Sequence, residues 1–126
     1  MELVFAPEIS SELSRMVERL GLSYIKPQNI ISFRSYGSKS RAVARIWSLP
    51  RIWQLALKKE AHYCVEVISE RYDKLSQEDK EKVLIHELLH VPKNFSGALL
   101  PHRQKANKID RRTVEKLYEQ LHEFEL

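Results

Sequence analysis

At 126 residues the chain is long enough for one compact domain and too short for two ordinary ones, so residues 1–126 read as a single unit. Hydrophobic residues at 43% allow a real core and charged residues at 30% suit a solvated surface. No apolar run approaches the ~18–20 residues that cross a bilayer, and no membrane partner is expected.

The N-terminus lacks a basic region followed by a long apolar stretch, so no secretory signal is expected. The lone Cys64 cannot form an internal disulfide, which fits a reducing, cytoplasmic setting. The formal charge of +4 is unevenly spread. From Lys26 to Lys59 there are eight cations (Lys26, Arg34, Lys39, Arg41, Arg45, Arg51, Lys58, Lys59) and no acid. A second basic cluster holds Arg103, Lys105, Lys108, Arg111 and Arg112 around Asp110. Such stretches attract phosphates or acidic substrates, so weak nucleic-acid association through residues 26–59 is one expectation. No nucleic-acid motif accompanies the charge, and a solvated basic face is the plainer reading.

Residues 8–20 form an apolar stripe of Ile9, Leu13, Met16, Val17 and Leu20, a helix stopped by Gly21. A strand follows over roughly 28–36, then a turn at Tyr36-Gly37-Ser38. Residues 41–49 alternate, and the two segments could pair as a hairpin. Pro50 starts a short helix with Ile52, Trp53, Ala56 and Leu57 at helical spacing, and residues 62–69 read as a third strand. Ser76, with Asp79 three residues on, caps a helix over roughly 77–91 that Pro92 closes. A loop turning at Gly97 leads to a last helix over roughly 107–124, with Val114, Leu117, Tyr118 and Leu121 inward. Trp47 and Trp53 are expected in the core. The order predicts an α+β domain with a short antiparallel or mixed sheet packed against the 77–91 helix and flanking helices.

The chemistry concentrates in Val83-Leu84-Ile85-His86-Glu87-Leu88-Leu89-His90. On a helix His86 and His90 lie about 40° apart, one turn from each other, so both imidazoles can reach one ion at ~2.0–2.1 Å. Glu87, about 60° round from His90, flanks that ion without being forced to ligate it, as a general base for an attacking water must. Leu84, Ile85, Leu88 and Leu89 make the helix apolar, so the histidines fall in the interior, where a metal offsets the cost of burial. A catalytic zinc takes three protein ligands. His102 is the best third, beyond Pro92 and Gly97 and stiffened by Pro101, with Asp110 and then Glu115 as acidic rivals. His62 and His122 read as structural or solvent-facing, Tyr63 and Tyr118 as structural, and Cys64 as a small buried residue.

The segment from His86-Glu87-Leu88-Leu89-His90-Val91-Pro92-Lys93-Asn94-Phe95-Ser96-Gly97 to Pro101-His102 resembles a metallopeptidase family of phages and archaea. That family combines an H-E-L-x-H helix, a P-x-x-F-S-G loop and a later P-H pair. The likeness extends over roughly residues 40–105, and the layout is distantly similar to SprT-like proteases. The resemblance implies a zincin-like domain with Zn²⁺ on His86, His90 and His102, Glu87 as catalytic residue, and a site loop shaped by Pro92, Phe95, Ser96 and Gly97. The expected function is a zinc-dependent metallopeptidase acting on a peptide or protein substrate. A nucleic-acid-binding module with a structural zinc and no hydrolytic activity is the alternative.

Overall fold

A computed structural model describes residues 1–102 and 109–123. The chain starts with a strand, β1 (Glu2–Phe5), followed at once by α1 (Pro7–Arg19). Pro7 fits the first helical turn, where its missing N–H is not needed, and Ile9, Leu13, Met16 and Val17 line the buried side. Gly21, at φ +63°, ends the helix. Its N–H donates to the Glu18 carbonyl at 3.2 Å and that of Leu22 to Val17 at 3.0 Å, a Schellman closure that needs the left-handed residue.

A 3₁₀ turn at Pro27–Asn29 leads into β2 (Ile30–Tyr36), then β3 (Ala44–Ser48), α2 (Arg51–Leu57) and β4 (Tyr63–Ile68). The chain continues through α3 (Ser69–Tyr72), α4 (Gln77–Leu88) and α5 (Arg111–Leu121). The four strands form one mixed sheet in the order β1-β2-β4-β3. β2 runs parallel to β4, while β1 and β3 are antiparallel to their neighbours. The domain is therefore α+β, and among the described residues β3 is an edge strand with no partner on its outer side.

The expected hairpin between 28–36 and 41–49 does not form, because β4 lies between β2 and β3. The reason is in the composition of β4. Tyr63, Val65, Glu66, Val67 and Ile68 are all buried, so this strand needs cover on both faces and a partner on both sides. The thinner β3 is left at the edge. The helix-side face of the sheet packs Ile30, Val65 and Val67 against Leu13 and Met16 of α1 and Leu84, Ile85 and Leu88 of α4.

Trp47 and Trp53 are not in the core: they are 51% and 54% exposed. Trp47 stands on the sheet face away from the helices, where its Nε1 donates to Glu66 at 3.0 Å and Arg45 donates to the same carboxylate at 2.9 Å. Trp53 turns outward from α2. On α5, Val114 and Leu121 are buried and Leu117 and Tyr118 pack against the core, the inner face its spacing indicates. The beginning of the predicted 107–124 helix, its last residue, and Arg103, Lys105 and Lys108 lie outside the described residues. No helix among the described residues is long and apolar enough to cross a membrane.

Candidate metal centre

The site grows from α4. Ser76 Oγ accepts the Asp79 N–H at 3.2 Å, capping the helix start as the sequence indicates. Leu84, Ile85 and Leu88 then hold one side of the helix in the core. Regular α-helix stops at Leu88, shorter than the predicted 77–91. The last turn tightens instead: His90 N–H donates to Glu87 O and Val91 N–H to Leu88 O, each at 3.1 Å and each spanning three residues. Pro92 excludes continued helix and this closure satisfies the carbonyls that would otherwise be orphaned.

The chain then folds back. Phe95 adopts φ +47° and Gly97 φ +93°. A Cβ at Gly97 would lie 2.7 Å from the Leu49 carbonyl oxygen, so only glycine fits there. Two side chains from distant elements clamp this loop. Gln54, the one buried residue of α2, donates through Nε2 to the carbonyls of Leu49 (2.8 Å) and Ser96 (2.9 Å). The Tyr63 hydroxyl of β4 accepts the Gly97 N–H at 2.9 Å and donates to the Ala98 carbonyl at 2.8 Å, while its ring meets Phe95 edge-on at 5.1 Å. Tyr63 is thus structural, as expected. The clamp by Gln54 carries no sequence signature, since its acceptors are main-chain carbonyls.

Beyond the clamp, Leu100 N–H donates to the His90 carbonyl at 2.7 Å, and His102 arrives beside α4. The Nε2 atoms of His86 and His102 are 3.0 Å apart, and one ligand nitrogen from each of His86, His90 and His102 falls within 4.8 Å of the others. Imidazole nitrogens sharing a tetrahedral ion at ~2.0–2.1 Å stand about 3.3 Å apart, so the three residues fit a metal. Burial pushes the His86 pKa down to about 4, with His90 and His102 adding repulsion, and burial also lowers that of His90. Both rings are therefore neutral near pH 7, as metal ligands must be.

Glu87 stands alongside. It is 7% exposed, and burial raises its carboxyl pKa to about 7. Its carboxyl group makes no hydrogen bond or ion pair among the described residues, yet it lines two adjoining clefts. One, of about 510 Å³, contains His86, His90 and His102 and is bordered by Ala44 and Ile46 of β3. The other, of about 730 Å³, runs between α4 and α5 past Val83, Asp110 and Val114. A carboxylate held without a partner at the meeting of two clefts is placed to exchange a proton with whatever occupies them.

The rival third ligands are engaged elsewhere. Asp110 caps α5, accepting the Thr113 N–H at 2.9 Å, and Glu115 pairs with Lys82 at 2.7 Å. His62 contacts the Glu60 carbonyl at 2.8 Å and His122 pairs with buried Glu81 at 3.1 Å. Cys64 is half-buried, and burial raises its thiol pKa.

Fold and site together define a small α+β protein with a three-histidine centre that could bind a metal. The family model described as "Putative phage metallopeptidase" matches residues 1–124, and the chain belongs to that family. No curated protein and no solved structure matches it.

Proposed function

We propose that the chain is a zinc-dependent peptidase in which His86, His90 and His102 hold the ion and Glu87 is the general base. The observation that carries the reading is the desolvated, unpartnered carboxylate of Glu87 beside three converging imidazoles. Membership of the metallopeptidase family supports the reaction class. When bound, the ion supplies a Lewis acid that polarises the scissile carbonyl and makes water acidic enough to lose a proton near pH 7. Glu87 takes that proton and returns it to the leaving amine. His90 is oriented for its role: Nδ1 lies 2.6 Å from the Leu100 carbonyl, which can only accept, so Nδ1 carries the proton and Nε2 keeps its lone pair.

Substrate binding falls to β3. Val43 O accepts from Ile68 N and Leu49 N donates to His62 O, so odd-numbered positions face β4. Ala44, Ile46 and Ser48 then present their main-chain groups to the free edge, and the first two border the histidine cleft. An extended peptide pairing there lies across the three histidines.

The binding-module alternative is less well supported. Among the described residues no fourth ligand joins the three histidines, whereas structural zinc is closed by four. Three of the eight cations between Lys26 and Lys59 are also engaged in ion pairs: Lys26 with Glu60, Arg34 with Glu8 and Asp73, and Arg45 with Glu66. The test is hydrolysis of a mixed peptide library by zinc-loaded protein, with Glu87→Gln as control. Cleavage by the native chain alone supports the reading, and no cleavage by either, with zinc bound, overturns it.

A further inference from the structure

The helix α2 is built inside out. Its one buried side chain is the polar Gln54, while Ile52 is 74% exposed, Trp53 54%, Leu55 62% and Leu57 53%. At 100° per residue the side opposite Gln54 is occupied by Leu55, Ile52, Ala56 and Trp53 in turn, with Leu57 at its margin. Apart from the indole N–H of Trp53, that outward arc contains no polar group. Burial drives apolar surface inward, so a helix held by a glutamine with its apolar arc in solvent marks an interaction site.

The helix is also fixed in place. Pro50 starts it, Lys58 ends it in the left-handed conformation at φ +54°, and Gln54 ties its underside to Leu49 and Ser96. The apolar arc is therefore presented by a rigid support. Cations stand at both ends: Arg51 at the start, Lys58 and Lys59 at the finish, all exposed and none in an ion pair among the described residues. No acid occurs between Lys26 and Lys59, and the next one, Glu60, is held by Asn29 at 2.7 Å and Lys26 at 3.4 Å.

We propose that α2 docks the protein on an anionic lipid surface, with Ile52, Trp53, Leu55 and Leu57 entering the headgroup–acyl boundary and Arg51, Lys58 and Lys59 on the lipid phosphates. Two features favour lipid over a protein partner. A protein interface carries about one hydrogen bond per 100–200 Å², and the outward arc of α2 offers only the Trp53 indole N–H to make one, whereas acyl chains require none. The layout of apolar arc, tryptophan and flanking cations also matches what an interfacial segment needs: apolar burial, an indole at headgroup depth, and charge opposite to the leaflet. A helix of seven residues, about 10 Å long, lies in such a boundary and cannot span it. The absence of a long apolar run therefore speaks to crossing a membrane and not to resting on one.

The experiment is co-sedimentation of the full chain with vesicles of phosphatidylcholine alone or with about 30% phosphatidylglycerol, at low and moderate salt. Trp53 emission is followed in a Trp47→Phe background. Binding to the anionic vesicles with a blue shift of Trp53 is expected, and little binding to phosphatidylcholine alone. Replacing Ile52 and Leu55 by Ser weakens binding at least about tenfold. Replacing Arg51, Lys58 and Lys59 by Gln weakens it roughly 100-fold, from about 1 kcal/mol per cation. All of these side chains are exposed, so circular dichroism should show both variants folded. Failure to bind anionic vesicles at low salt overturns the proposal, as does binding insensitive to the Ile52 and Leu55 changes. A dimer in sedimentation equilibrium that those same changes dissociate also overturns it, by showing that a second copy covers the helix.

Discussion

His90 and Leu100 are joined twice: the Nδ1–H of the ring donates to the Leu100 carbonyl at 2.6 Å, and the Leu100 N–H donates to the His90 carbonyl at 2.7 Å. This reciprocal pair brings His102 alongside α4 and fixes the tautomer of His90 with the same contact. Two residues of the three-histidine centre are thus positioned by one local staple and not by long-range packing alone.

Purified protein should carry about one zinc per chain, and His86→Ala, His90→Ala or His102→Ala should each remove stoichiometric metal. Asp110→Ala should keep it, because Asp110 serves α5 as a cap, and should cost only about 1 kcal/mol of stability. Metal analysis and thermal melts of the four variants check this. Zinc loss in Asp110→Ala with retention in His102→Ala would move the third ligand onto α5.

Glu87→Gln should bind zinc as the native chain does while losing about 10²–10⁴ in the rate of hydrolysis, since it removes a proton acceptor and not a ligand. The measurement pairs zinc titration with turnover. Loss of metal equal to that in His86→Ala would make Glu87 a ligand.

The same residue gives a stability signature in the metal-free protein. Burial raises its folded-state pKa from 4.5 to about 7. A carboxyl with a raised folded pKa holds its proton longer in the native state, so its contribution is intact below about 4.5 and is lost as pH rises to about 7. Metal-free Glu87→Gln should therefore gain stability relative to the native chain across that window, by up to about 3 kcal/mol, and level off above it. Chemical denaturation at several pH values, with chelator present, checks the sign. A constant difference across pH would remove burial as the source.

The sequence makes α4 and its chemistry legible because both rest on local rules: a serine cap, an apolar repeat, and two histidines four apart around a glutamate. It leaves the sheet order hidden. Alternation in β3 and burial in β4 say which residues face inward, but which strand sits beside which is decided by chain segments far apart. The tryptophans show the same boundary. Spacing places Trp47 and Trp53 on definite faces of β3 and α2, and only the assembled fold shows that both rings stay about half exposed, at 51% and 54%.

Gln54 ties α2 to the metal-site loop. Its amide holds two carbonyls, Leu49 O before α2 and Ser96 O in the metal-site loop, and its buried Nε2 has Gly97 packed against it. Gln54→Ala would leave both acceptors without their donor in a buried setting, at a cost of about 1–3 kcal/mol. The effect should reach the metal, because the released loop carries Leu100 and His102 two elements away. Zinc affinity should fall by roughly 10–100-fold, the usual cost of losing support behind a ligand, with all three histidines intact. Gly97→Ala should act the same way from the other side, since its Cβ collides with Leu49 O and its φ of +93° disfavours any side chain. Competitive zinc titration and denaturation of both variants would test this. If both lost stability while zinc affinity stayed native, the clamp would serve the fold alone, and His102 would be held by the His90–Leu100 staple without help from α2.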